Sequence, residues 1–212
     1  IGVVHHGIDP APYLADHAAG AASLRRRLNL GDAYPVVGTV ARLIAWKGHQ
    51  HIIEAARLLV KDHPRMHFIF CGTGDQEEVL RQRVKEAGLD KHITFTGWVD
   101  RRSIPALYSM LDIYLHAADH EPFGFVLAEA MMSGTPVVTT RTGGGADVAG
   151  DGRPVIFAEQ RSGKALAEGV QRALDIGLST IGQEGKNLAL RSFTFDRMWN
   201  GYMEEYGNAL AH

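Results

Sequence analysis

The sequence predicts an α/β domain: a doubly wound, mostly parallel sheet with helices on both faces. Two observations carry the prediction. Short runs rich in β-branched and aromatic residues alternate with longer stretches of helical periodicity. The composition, 45% hydrophobic and 22% charged over 212 residues, supports one sizeable core rather than a disordered chain.

Taken in order, the first strand is expected over 36–41 and a helix over 49–61. The apolar run His67-Phe68-Ile69-Phe70-Cys71 gives the second strand. A helix over 76–87 follows, opening on Asp75-Gln76-Glu77-Glu78, whose carboxylates complement the amino end of the helix dipole. Then come a strand over 93–96, a short helix over 104–110, a strand over 113–116, a helix over 124–133 and a strand over 136–140. A further strand over 154–157 and helices from about 163, 181 and 196 complete the series. Gly143-Gly144-Gly145 reads as a local turn. Such a βαβ series has right-handed crossovers, and its ligands sit beyond the carboxyl ends of the strands where strand order reverses. In the commonest order that point lies between the first and fourth strands, so the loops 42–48 and 116–124 matter most.

Composition excludes several functions. Lys and Arg number 22 against 24 Asp and Glu, a net charge of −2, and no basic run gives a footprint for nucleic acid or an anionic membrane. The single cysteine, Cys71, has no disulfide partner in the chain and fits a reducing cytoplasm. No apolar stretch approaches the ~20 residues needed to span a bilayer. The chain opens on Ile1-Gly2-Val3-Val4, which reads as the middle of a strand, and is expected to be a fragment lacking an amino-terminal portion.

Arg42 and Lys47 place two cations in the first loop, ahead of Gly48 and a helix start, an arrangement suited to a diphosphate. Two solvated surface charges are the plain alternative. Gly124 opens the helix after the fourth strand, so the amides of Phe125 and Val126 are free to meet a phosphate oxygen, although Pro122 and Gly124 would also simply shape a turn. Glu121 would be repelled by phosphate and is better placed to accept from sugar hydroxyls. Glu129 is a carboxylate inside an otherwise apolar helix and needs a partner: vicinal ribose hydroxyls, or an Arg or Lys elsewhere.

Other motifs are disfavoured. Gly72-Thr73-Gly74 lacks the third glycine of a dinucleotide fingerprint, Glu77 standing there instead. The eleven histidines, His5, His6, His49, His51, His116 and His120 among them, follow no zinc spacing. There is no Gly-x-Ser-x-Gly elbow.

Taken together, these residues resemble the carboxyl-terminal, donor-binding domain of the retaining glycosyltransferases of family 4, which have the GT-B fold of two facing Rossmann-like domains. The match runs from Val4-His5-His6-Gly7-Ile8-Asp9 through Arg42-Leu43 and Lys47-Gly48 to the pair Glu121 and Glu129, with seven residues between them. It continues in Glu129-Ala130-Met131, Gly134-Thr135-Pro136-Val137-Val138 and Gly143-Gly144. Three departures stand out: Ala117-Ala118 where the family often has Pro-Ser, Ala146-Asp147 where it has Pro-Glu, and no Gly after Asp151-Gly152.

The resemblance implies one donor-binding domain over 1–212, with a Rossmann-like core over about 1–194 and a closing helix over 195–212 that packs on an amino-terminal acceptor domain absent from this chain. By resemblance, Arg42 and Lys47 hold the donor diphosphate. Glu121 and the backbone of Phe123, Gly124 and Phe125 contact sugar hydroxyls, and the amides of Phe125 and Val126 meet phosphate. Glu129 binds the ribose, and the loop Gly97-Trp98-Val99 lies by the base. Glu121, Arg42 and Lys47 carry the catalysis. The implied reaction moves a sugar from a UDP-sugar, GDP-mannose or similar donor, with retention, to a glycan, lipid or small-molecule acceptor. No cofactor and no metal are expected, the sequence having no Asp-x-Asp. The isolated fragment is expected to be inactive, and the full-length protein cytoplasmic, with peripheral membrane association through the absent half. A nucleotide-sugar 2-epimerase or a nucleotide-binding module are the alternatives.

Overall fold

A computed structural model describes residues 2–149 and 154–210. Its centre is a six-stranded sheet in the order β3-β2-β1-β4-β5-β6, comprising β1 (Val36–Val40), β2 (His67–Cys71), β3 (Ile93–Gly97), β4 (Ile113–His116), β5 (Val137–Thr140) and β6 (Val155–Ala158). Every neighbouring pair is parallel. The helices are α1 (Ala11–Leu14), α2 (Ala18–Arg27), α3 (His49–Leu59), α4 (Glu77–Glu86), α5 (Ile104–Met110), α6 (Phe125–Met132), α7 (Gly143–Ala149), α8 (Gly163–Ile176), α9 (Leu178–Ser192) and α10 (Phe195–Leu210). This is the Rossmann-like, doubly wound architecture the sequence predicts.

Side-chain alternation along the strands feeds two cores. Val36, Ile69, Tyr114, Val137 and Phe157 point into one, against α5 and α6. Val37, Phe68, Phe70, Leu115, Val138 and Ile156 point into the other, against α3, α4 and α8. Strands buried on both faces read as continuous apolar runs rather than alternating ones, which is why they stand out in the sequence.

Two local expectations are corrected. Gly143-Gly144-Gly145 is not a turn but the start of α7. Thr142 Oγ1 accepts from the Gly145 amide at 3.1 Å, and the Gly144 amide donates to the Glu121 carbonyl at 2.9 Å. A side chain at Gly144 would strike the backbone of Glu121 and Phe123, so tertiary packing outweighs poor helix propensity here. The apolar run near the start is not a strand over its described residues, Gly2–Val4. Its continuation finds its hydrogen bonds at the α9–α10 junction, the Ile8 amide donating to the Phe193 carbonyl at 2.8 Å and the Phe195 amide to the Ile8 carbonyl at 3.2 Å. Helices α1 and α2 occupy a stretch for which no element is predicted. The departure at Asp151-Gly152 lies outside the described residues.

Helix α10 buries none of its residues. Trp199, Tyr202, Met203, Tyr206 and Leu210 recur at helical spacing and all stand exposed. No helix among the described residues is long and apolar enough to cross a membrane.

Candidate functional site

Strands β1 and β4 are neighbours although β2 and β3 separate them in sequence, so strand order reverses between them. Beyond β1 the chain turns through a short 3₁₀ segment, Ala45–Lys47, and enters α3 at Gly48, whose φ of 73° is left-handed. A Cβ there would collide with the Ala117 carbonyl of the β4 loop, so glycine is required for the two loops to touch. The Asp119 amide donates to the Trp46 carbonyl at 2.8 Å. Arg161 ties the same two loops, its guanidinium donating to the carbonyls of Ala117 at 3.2 Å and Trp46 at 3.3 Å and pairing with Asp119 at 3.2 Å.

Across this crevice Lys47 Nζ lies 2.7 Å from Glu121 Oε2, with both side chains 12% exposed. His116 Nε2 reaches the same oxygen at 3.1 Å. Burial alone would raise the Glu121 pKa, but the hydrogen bonds from His116 and Lys47 outweigh it and hold the carboxyl at about 2. The Lys47 ammonium also sits 4.5 Å from the Trp46 ring centroid, with the exposed Arg42 guanidinium 6.0 Å from that centroid. Helix α6 opens at Gly124, φ 91°. The Leu127 amide bonds the Gly124 carbonyl at 2.9 Å, and the amides of Phe125 and Val126 precede it.

Glu129 faces the core side of α6, and its partner is neither Arg nor Lys among the described residues. The Tyr108 hydroxyl donates to its Oε2 at 3.2 Å. Burial pushes the Glu129 pKa up, while the Tyr13 and Tyr108 hydroxyls and the Arg101 charge pull it back. In front of Glu129 lies a cavity of about 870 Å³, lined among others by Asp9, Tyr13, Arg101, Phe125 and Phe195.

The predicted residues therefore fall into two adjoining places. Lys47 and Glu121 are in contact, with Arg42 beside Trp46. Glu129 and Phe125 line the cavity. Phe123 is buried against Phe125, His6 and Phe193, which leaves its backbone rather than its ring for a ligand. Gly97 ends β3, Trp98 is 72% exposed, and the residues of that loop reaching the cavity are Asp100, Arg101 and Arg102.

Residues 21–187 match the family model described as glycosyl transferases group 1. The chain belongs to this family. It is 34% identical to a 2-deoxystreptamine glucosyltransferase of Streptomyces kanamyceticus over 82% of its own length and 45% of the relative's. Among solved structures it resembles Anabaena HepE in complex with UDP, with a TM-score of 0.87 at 26% identity over 98% of this chain and 57% of that one. It also resembles the C-terminal domain of a group 1 family protein, LpcC, from Francisella tularensis, with a TM-score of 0.77 at 27% identity over 89% of this chain and 100% of that one. The chain thus spans about half the length of the curated relatives it matches.

In this group 1 chain, residues beyond those predicted shape the site. His116 was hidden among scattered histidines, although its place at the carboxyl end of β4 is a signal. Tyr13 and Tyr108 come from α1 and α5, distant in sequence from Glu129, and carry no local signature. Arg161 lies in the turn before α8 and looks like any surface charge. Among the described residues, no three His, Cys, Asp or Glu side chains are grouped to hold a metal ion.

His49 is 1% exposed, meets the Phe70 ring edge-on at 5.2 Å, and has no hydrogen-bond partner at either nitrogen among the described residues. Burial first, then the neighbouring His116 and Lys47, lower its pKa to about 4. Between the ordinary value of about 6.5 and this one, the unfolded chain takes up a proton that the folded chain refuses, so stability falls as pH falls. Below about 4 this contribution is constant. His67, lowered to about 4 chiefly by burial, acts in the same direction. His49→Phe, filling similar space without nitrogens, should flatten part of the decline in Tm between pH 7 and 4, and an unchanged slope would remove His49 from the account.

Proposed function

We propose that this chain is the carboxyl-terminal, donor-binding domain of a retaining, metal-independent GT-B glycosyltransferase of family 4. The observation that carries the reading is the meeting of Lys47 and Glu121 across the β1–β4 crevice, beside the opening of α6. A cation, a carboxylate and free helix amides within one crevice suit a diphosphate joined to a sugar.

In this reading Lys47 and Arg42 take the diphosphate and the amides of Phe125 and Val126 cap its oxygens. As the glycosidic bond lengthens, charge builds on the departing β-phosphate, and these fixed donors stabilise it. Glu121 accepts from a sugar hydroxyl. Glu129 accepts from the two ribose hydroxyls at the mouth of the cavity, which has room for the nucleoside. The exposed stripe of α10 packs on the amino-terminal domain, which supplies the acceptor site, so the isolated chain binds donor without transferring it. A UDP-sugar or GDP-mannose is the donor class in view. HepE is solved with UDP-glucose, and a relative 28% identical over 79% of this chain and 45% of its own length is a GDP-mannose-dependent mannosyltransferase of Mycobacterium tuberculosis.

Calorimetry of the 212-residue chain with UDP, GDP, UDP-glucose and GDP-mannose tests the reading. At least one nucleotide should bind, and Glu129→Gln should weaken it about tenfold or more by removing the charged acceptor. No binding by any of them would end the donor-site reading, and an unchanged affinity in Glu129→Gln would end the ribose assignment.

A further inference from the structure

His116 closes β4 with a side chain only 1% exposed, and both ring nitrogens are addressed. Nε2 lies 3.1 Å from Glu121 Oε2, and Nδ1 lies 3.4 Å from the Tyr114 hydroxyl, which is itself 3.2 Å from the Val40 carbonyl. A carboxylate only accepts, so the proton of a neutral ring belongs on Nε2, while the Tyr114 hydroxyl donates its one proton to the Val40 carbonyl and leaves Nδ1 beside its oxygen at 3.4 Å. Burial favours the neutral ring, the Glu121 hydrogen bond working against it.

Both partners of Glu121 converge on the same oxygen, Oε2. Oε1 has no partner among the described residues and is the atom available to a ligand. The two partners differ in kind. Lys47 carries its charge on a flexible four-carbon stem and is drawn to phosphate. His116 is a neutral donor locked in the core, and phosphate exerts no such pull on it. If Lys47 alone held Glu121, an arriving diphosphate would take the cation away and leave a half-buried carboxylate both unpartnered and repelled.

We propose that His116 is the positioning residue for Glu121: it keeps the carboxylate in place when Lys47 turns to the donor phosphates, so that Oε1 stays presented to a sugar hydroxyl. The inference rests on the donor-site reading above and adds to it the residue that makes the exchange of Lys47 tolerable.

The test compares wild type, His116→Leu and His116→Gln by calorimetry with UDP, GDP and ADP and with UDP-glucose, GDP-mannose and ADP-glucose. The measured quantity is the affinity gained by the sugar over its bare diphosphate. Wild type should show such a gain for at least one pair. His116→Leu should lose about tenfold of it while binding the bare nucleotide within about twofold of wild type, and His116→Gln, whose amide can donate to the same oxygen, should recover most of it. Equal losses for bare and sugar nucleotides, an unchanged gain in His116→Leu, or no gain in wild type would each overturn the proposal. If His116→Leu does not fold, His116→Gln and the wild-type ring decide it. Long-range proton–nitrogen NMR at pH 8 should find the proton of the neutral His116 ring on Nε2, and a neutral ring protonated on Nδ1 would overturn it. Failure of every bare nucleotide to bind wild type would instead overturn the donor site itself.

Discussion

Under the proposed donor-site reading, Lys47→Ala in a protein joining this domain to its acceptor domain should lower kcat by about 10² to 10³, the range found when one preorganised donor to a developing negative charge is removed. Donor affinity should fall less, because the interaction strengthens as the leaving group becomes charged. The ion pair with Glu121 supplies a second signature. With Lys47 in place the Glu121 carboxyl is held at about 2, although burial alone would raise it. Removing the ammonium leaves only His116 to oppose burial, so the folded-state pKa of Glu121 rises. Activity requiring the ionised carboxylate should then fail at a higher pH on the acid side than in wild type. Steady-state kinetics across pH reads both effects. A variant altered only in KM, with an unmoved acid limb, would contradict this role for Lys47.

Gly48→Ala should be the most damaging single-methyl change in the site. The left-handed φ of 73° costs a non-glycine residue about 1–2 kcal/mol, and the added Cβ meets the backbone carbonyl of Ala117 rather than a yielding side chain. Overpacking against backbone typically adds about 1–3 kcal/mol, for a total near 3 kcal/mol. Relief requires the β1 and β4 loops to part, which separates Lys47 from Glu121. Gly88 supplies the control: its φ of 67° is also left-handed, but a Cβ there meets nothing within 4 Å, so Gly88→Ala should cost only about 1–2 kcal/mol. Urea unfolding separates the two variants, and equal costs would dismiss the clash.

The parts of this molecule legible in the sequence are those whose physics is local. Five of the strands were readable because burial on both faces favours apolar and β-branched residues, the edge strand β3 through its alternation of Ile93, Thr94, Phe95 and Thr96, and the two site loops followed from strand order. Glu129 announced itself as a charge in an apolar helix. Its partner did not, because Tyr108 approaches from α5, and nothing near residue 129 in sequence encodes the contact. Gly144 misled for a related reason: glycine reads as a turn, whereas it is needed here so that α7 can press on the backbone of Glu121 and Phe123. His116 carries no motif signal because its value lies in its contact with Glu121, which no spacing rule records.

Helix α10 has one more consequence. With no buried residue of its own, it is held near its start by the Ile8 contact and by the Gly7 amide, which donates to Met198 Sδ, and further along by the Gly2 amide, which donates to Glu205 at 3.1 Å. A sixteen-residue helix is marginal without tertiary support. Its amides should therefore exchange with solvent through local opening, at a free energy below that governing the sheet, and residues 2–4 should open with it, while Ile8 stays anchored in the core. The two segments form one weakly protected unit clamped to a strongly protected one. A surface covering the apolar stripe would register first as slowed exchange in this unit, before it changed the unfolding of the sheet.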